Sequence, residues 1–277
     1  MTYMNLRQQD LLWAVRRLPK TLRHIMLKVG PELVVAGGYV RACVANEPIN
    51  DVDCFAPSRE KAEEWAKMLC KKPYETDNAF TCKMQRSTVQ FIHRWTYKKP
   101  EEILESFDFT IAMAAIWFQP EVNFSILGAP VISGSVPKQY VGICDPDFYA
   151  DLAAKRLVYT SPERNEDAGG SFLRVLKFYQ RGYRIPLDSC GAVLSRLMTA
   201  VKIEDLHKAA LTIAEEQDIS VELAWERQLA KVLTGLLREV DPNVDPEHLY
   251  HLPSEAEMTA QGKDLTTAEE AEEADGE

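Results

Sequence analysis

The sequence predicts an α+β protein in two parts, and three observations carry that reading. Short apolar runs alternate with amphipathic stretches between Leu33 and Phe118, which is the mark of interleaved strands and helices. After Pro137 the character changes to helical spacing. The 277 residues, 46% apolar and 27% charged, supply enough apolar material for one large domain or two modest ones. The expected layout is N-terminal helices over 1–30, a strand-containing head over 31–140, a helical domain over 141–253 and an acidic tail over 254–277.

Each element follows from local pattern. From Asn5 to Val29, Leu6, Leu11, Leu12, Val15 and Leu18 fall near one helical face. Pro19 breaks the pattern, and Leu22, Ile25 and Met26 resume it. Leu33–Ala36 is a short apolar run before Gly-Gly and reads as a buried strand; Val52–Phe55 reads as a second. Ser58 is a good N-cap for a helix to about Leu69, burying Ala62, Trp65, Ala66 and Leu69. Phe80–Met84 and Thr88–Ile92 read as paired strands. Pro100–Ser106 begins another helix. Phe107–Phe118 is almost wholly apolar, and periodicity does not separate strand from helix there. Asp145–Tyr159 reads as a helix with Asp145 as N-cap and Pro146 in the first turn. Ser171–Arg181, closed by Gly182, then Ala192–Val201, Ile203–Glu216 and Val221–Val240 complete the helical part.

Charge and cysteine usage narrow the function classes. The net charge of -10 argues against a nucleic-acid partner at first, but the charge is uneven. From Ser254 onward nine acids stand against one base, a net of -8, which leaves the body at about -2. The tail composition predicts disorder, and the near-neutral body leaves room for a local basic surface. Lys83, Arg86, Arg94, Lys98 and Lys99, interleaved with Trp95 and Tyr97, suit an RNA strand through phosphate contacts and stacking; they also suit a solvated hairpin. The six cysteines lack CxxC spacing, so reduced, structural thiols are expected. The lone His93 and His207, and His248 with His251, offer no complete zinc set. No apolar run approaches the ~20 residues of a membrane span, and no signal peptide is visible. The expected setting is cytoplasmic, without a membrane.

The chemistry concentrates in VVAGGYVRACVANEPINDVDCFA, residues 34–56. Gly37 and Gly38 after a strand let a backbone approach a ligand closely. Amides at such a turn, opening a helix near Tyr39, attract phosphate. Asp51 and Asp53 alternate on a strand, so both point to one face. Two such carboxylates repel unless a cation lies between them, and the natural cation is Mg2+, which takes oxygen ligands and bridges to phosphates. Arg41 lies one turn into the helix.

That layout resembles the nucleotidyltransferases of the DNA polymerase beta superfamily, and more closely the head domain of class II CCA-adding enzymes and poly(A) polymerases. There GGxVRD precedes DxD; here GGYVRA precedes DVD, with Ala42 in place of Asp. The family's RRDFTINAMA is matched by SFDFTIAMAA at 106–115, with Phe107 in place of Arg and Ala112 in place of Asn. FLRVLKFYQRGYRIP, Phe172–Pro186, is similar to the family's LRxxRFxxxxGF helix. The pattern also looks like phage-encoded relatives of that head. The base-selecting EDxxR motif has no match; SPERNED at 161–167 lies in its region.

The resemblance implies a mixed sheet with flanking helices and a Mg2+-dependent transfer of NMP from an NTP to a hydroxyl, an RNA (tRNA) 3′ end first. Two Mg2+ ions would be held by Asp51 and Asp53 with Asp108 as third carboxylate or organiser. Gly37, Gly38, Arg41, Arg174, Lys177 and Arg181 would bind the nucleotide. Other acceptors, a protein or a small molecule, and a binding head without catalysis stay open. So do plainer roles: a strand-to-helix turn for the glycines, loop acids for Asp51 and Asp53, an N-cap before Thr110–Trp117 for Asp108, a salt bridge for Arg41, and a surface face for Arg174, Lys177 and Arg181.

Overall fold

Proline and glycine set where the first elements stop. The computed structural model of the chain describes residues 2–84, 87–120, 139–162 and 169–240, with 139 and 238–240 described by backbone only. Arg86, residues 163–167 of the SPERNED stretch, His248, His251 and the tail from Ser254 lie outside the described residues.

Strand β1 (Met4–Asn5) precedes α1 (Gln8–Arg17), and Pro19 separates it from α2 (Lys20–Val29), as the broken apolar spacing predicts. A 3-10 turn (Gly30–Glu32) leads to β2 (Val34–Ala36), α3 (Gly38–Ala45), β3 (Asp51–Phe55) and α4 (Arg59–Leu69). Ser58 Oγ accepts the Lys61 N–H at 3.3 Å, and Ala62, Trp65, Ala66 and Leu69 are buried. The chain continues through β4 (Tyr74–Glu75), β5 (Ala79–Lys83), β6 (Thr88–Ile92), α5 (Pro100–Glu105), a second 3-10 turn (Thr110–Ala112), β7 (Ala114–Gln119), β8 (Gln139–Cys144) and α6 (Phe148–Ala153). Helices α7 (Gly169–Gln180), α8 (Leu187–Thr199), α9 (Ile203–Gln217) and α10 (Val221–Val240) follow. The α+β class is as expected. Among the described residues no helix is long and apolar enough to cross a membrane.

Among the described residues the strands form one eight-stranded mixed sheet in the order β1-β8-β7-β2-β3-β6-β5-β4. Its one parallel pairing joins β3 to β6; the other neighbours are antiparallel. Helix α3 packs on β2, β3 and β7, and α4 on β5 and β6. On the face that carries Val34, Ala36, Phe55, Ala115 and Trp117, Ile103 and Leu104 of α5 close a second apolar layer.

The structure settles or changes the sequence reading in several segments. Phe107–Phe118 resolves as a 3-10 turn followed by strand β7, whose AAIWFQ is buried almost throughout, as an interior strand covered on both faces requires. Thr110–Trp117 is therefore no α-helix, and Asp108 does not cap one. The expected helix over Asp145–Tyr159 shortens to α6. Asp145 Oδ1 instead accepts the Asp147 N–H at 2.8 Å, ahead of the helix, and Lys155 turns left-handed at φ 49° just past its end. Beyond it, the Leu157 N–H donates to Arg184 O at 2.8 Å in place of a helical bond. Strands β1, β4 and β8 carry no expectation from pattern, and β8 extends the sheet past residue 140 to Cys144.

The described residues form two compact units, divided between Ala154 and Lys155. The first holds the sheet and α1 to α6. The second is helical: α9 packs along α10 with Ala210, Ala214 and Ala224 at the seam, and α7 packs against α8 and α10. His207 sets its ring against Trp225, with centroids 5.9 Å apart. Gly182, at φ 83°, closes the turn after α7.

Candidate functional site

The Gly-Gly turn is made by two glycines with different reasons to be glycine. Gly37 follows β2 with φ 78° and ψ -132°, a conformation side chains disfavour. Its N–H donates to Ala114 O at 2.9 Å, and its carbonyl accepts the Arg41 N–H at 3.2 Å, which opens α3. A Cβ on Gly37 would stand 2.8 Å from Phe107 Cζ, so the Phe107 ring lies directly on this residue. Gly38, the first residue of α3, has neither constraint. Its φ is not left-handed, and apart from its chain neighbours and its own helix backbone no described residue lies within 4 Å of where its Cβ would be.

The carboxylates share a face with that turn. Along β3, Asp51 is exposed, Asp53 half-buried and Phe55 buried, while Val52 and Cys54 turn to the opposite, buried face. Val34 pairs with Phe55 and Val35 with Cys54, a register that sets Asp53 level with Ala36, the residue before Gly37. On its other side β3 runs parallel to β6, with Asp51 opposite Thr88 and Asp53 opposite Gln90. The structure thus brings Gly37, Gly38, Asp51 and Asp53 to one end of the β2–β3 pair.

Asp108 is 3% exposed and lies between α5 and the second 3-10 turn. Among the described residues no group of three or more His, Cys, Asp or Glu is placed to hold a metal ion. Asp51, Asp53 and Asp108 are therefore not a ready three-ligand set. Asp51 and Asp53 alone still offer hard oxygen donors on one face, which suits Mg2+.

Arg41 is 4% exposed inside α3, with Nη1 3.3 Å from Glu47 Oε2. Of its two expected roles, this geometry supplies the ion pair. Glu47 was not singled out from sequence; it lies in the NEP turn after α3, close enough in sequence to fold back on it. Arg174 and Lys177 lie on α7 and Arg181 follows it, all within the second unit. The Arg174 guanidinium folds back along α7, its Nη2 3.2 Å from the position of a Gly170 Cβ. Lys177 is exposed, and the Arg181 Cζ lies 5.8 Å from the Phe178 ring centre.

Two further buried acids have no motif. Asp151, fully buried on α6, accepts a hydrogen bond from Thr110 Oγ1 at 2.5 Å. Asp145 has its carboxyl pushed up by burial and then by the nearby Asp147 and Asp151 charges, against the Asp147 N–H bond. From sequence Asp145 reads only as an N-cap and Asp151 as a lone acid in a helical pattern, and neither reading signals burial. The thiols of Cys43 and Cys144 are pushed up by burial, to about 11 and about 12, and Cys54 is raised by the same cause. They remain neutral at physiological pH and are poor nucleophiles.

A family model described as Gabija anti-defense 2 family protein matches residues 7–155, more than half of the chain. The chain belongs to the Gabija anti-defense 2 family. Gabija anti-defense 2 of Bacillus phage SPbetaL7 is 33% identical over 94 residues, which are 32% of this chain and 24% of that protein. Among solved structures, a CCA-adding enzyme in complex with ATP matches at TM-score 0.48 and 15% identity, covering 92% of this chain and 59% of the enzyme. The Thermotoga maritima CCA-adding enzyme complexed with tRNA matches at TM-score 0.44 and 15% identity, covering 92% and 58%. The chain thus spans about a quarter of its phage relative and under two thirds of these enzymes. The stretch matched to the Gabija anti-defense 2 family includes Gly37, Gly38, Asp51, Asp53 and Asp108; Arg174, Lys177 and Arg181 lie beyond it.

Proposed function

We propose that this Gabija anti-defense 2 protein is a nucleotidyltransferase that moves NMP from an NTP to a hydroxyl acceptor, an RNA 3′ end such as that of tRNA. The observation that carries the reading is Gly38. Among the described residues no neighbour calls for a glycine there, nor does a left-handed backbone, whereas a helix start favours other residues. A group outside the chain approaching the backbone supplies the missing reason, and a polyphosphate at the start of α3 is the natural one.

In this reading the Gly38 amide and its neighbours in the first turn of α3 receive the triphosphate. Asp51 and Asp53 hold Mg2+, which when bound supplies positive charge to the acceptor oxygen and to the departing pyrophosphate. The acceptor oxygen forms its bond to the α-phosphorus as the bond from that phosphorus to the β-bridging oxygen breaks. The hydroxyl proton passes to Asp53 or to water, and pyrophosphate leaves with the electron pair. Asp108, buried beside the Phe107 that covers Gly37, organises the turn. The Arg41–Glu47 pair fixes α3 beneath it. Such catalysis is chiefly positioning and charge stabilisation.

A second reading, a head that binds nucleotide without turnover, is favoured by one observation: the Phe107 ring occupies the space over Gly37 where the resembled family has arginine. Incubation with each α-labelled NTP, Mg2+, total tRNA and host protein separates the two. Label on RNA is the expected result, and label on protein alone would reassign the acceptor. Stabilisation by NTP with no label on any acceptor would replace transfer by binding.

A further inference from the structure

On the same sheet face as Asp53, two residues further along β3, a cavity of about 220 Å³ opens. Val34, Phe55 and Ile103 line its apolar part, with Tyr97, Lys98 and Lys99 beside them. Two residues of strand span roughly 6.7 Å, so the cavity lies about a nucleotide's length from the carboxylates. It is smaller than the ~300–1,000 Å³ of drug-sized sites, which suits one flat ring system and not a whole nucleotide.

We propose that this cavity receives one base of a single-stranded nucleic acid, with the adjoining phosphates on Lys98 and Lys99. Tyr97 is half-buried against Phe55, with ring centres 6.0 Å apart at 56°, so one aromatic edge is anchored in the core while the residue still borders the cavity. Trp95 packs on the same apolar cluster and carries the Arg94 guanidinium 4.9 Å from its ring centre, a second stacking surface next along the chain. Aromatic faces accept any base by stacking. Lys98 and Lys99 are exposed, and among the described residues neither ammonium has an ion-pair partner. The nearby Glu102 carboxylate accepts the Lys98 backbone N–H at 3.0 Å. Glu32 completes the rim as an acceptor for an exocyclic amine of the base. An apolar slot, an anchored ring and two cations at its mouth are the chemistry of a single strand. A protein segment would need no paired cations, and a duplex could not offer its stacked base to the slot.

The inference concerns binding and stands apart from the transfer reading, so its test omits metal and NTP. Fluorescence anisotropy with a labelled ten-nucleotide single-stranded RNA in EDTA, at several salt concentrations, reads it directly, beside the DNA strand of the same sequence and the duplex. The single strands bind and the duplex binds at least tenfold more weakly. Tyr97→Ala weakens binding by at least about fivefold and Tyr97→Phe does not, because stacking is worth about that much per base. K98Q with K99Q flattens the slope of log affinity against log salt by about 1.4, the release of two phosphate contacts. These exposed lysines can be replaced without unfolding, so this variant decides the matter if Tyr97→Ala fails to fold. Absence of single-strand binding, equal binding of duplex, or an unchanged slope in K98Q/K99Q would overturn the proposal.

Discussion

Gly37 and Gly38 are adjacent, yet they make opposite predictions. Gly37 is held by its backbone, at φ 78°, and by the Phe107 ring 2.8 Å from any added Cβ. Gly37→Ala should therefore lower stability by about 1–3 kcal/mol, read by urea denaturation. Gly38→Ala should leave the melting temperature unchanged or raise it slightly, since alanine is the better helix residue. If a phosphate approaches that backbone, the same change should weaken NTP binding about tenfold or more; unchanged binding would remove Gly38 from the site. Asp145 gives a second residue-scale prediction. Its raised carboxyl pKa means the fold prefers the neutral acid. Its contribution to stability is fully present below the ordinary carboxylate value of about 3.9 and is lost as pH rises through the raised value. Asp145→Asn keeps the oxygen that accepts the Asp147 N–H, so it should gain stability over the wild type at pH 7 and lose that gain near pH 3. Thermal melts across pH check the sign. The glycines, Asp51 and Asp53 are legible in sequence because each is part of a local pattern. Glu47 and Asp151 are not, because no local pattern marks either: Glu47 folds back on Arg41 of α3, and Asp151 meets Thr110 across 41 residues.

At the scale of elements, α4 is the clearest case of sequence dictating structure. Its cap, its apolar spacing and its end before Pro73 are all local, and the structure places Ser58 Oγ on the Lys61 N–H. Ser58→Ala should cost about 1 kcal/mol, measured by urea denaturation. Trp65, 1% exposed, should cost about 3–5 kcal/mol on replacement by alanine. An equal, small loss for both would contradict the view that α4 is held by its buried face. Strand β7 was ambiguous for the complementary reason. A strand covered on both faces has no alternation to read, and only pairing with β2 and β8 settles it. Strand β8 shows the same dependence, since the partner that makes it a strand lies earlier in the chain. The expected helix from Asp145 fails at Lys155, where the left-handed turn and the pairing of Leu157 with Arg184 take over from the helical bonds.

For the whole molecule, the formal charge and its uneven placement are read directly from the residues. The segment from Ser254 carries -8 of the total -10. Its removal should leave turnover intact and raise the association rate with RNA at low salt, an effect that fades as ionic strength screens it; a large loss of kcat would give the tail a catalytic part. The central claim remains that Gly38, Asp51 and Asp53 together serve transfer of NMP. The most direct measurement is single-turnover transfer from α-labelled NTP with Mg2+, comparing the wild type with the double variant Asp51→Ala, Asp53→Ala. The wild type should give labelled RNA, and the variant, with its circular dichroism and melting transition kept, at least about a hundredfold less. Equal labelling by the two proteins would contradict that claim.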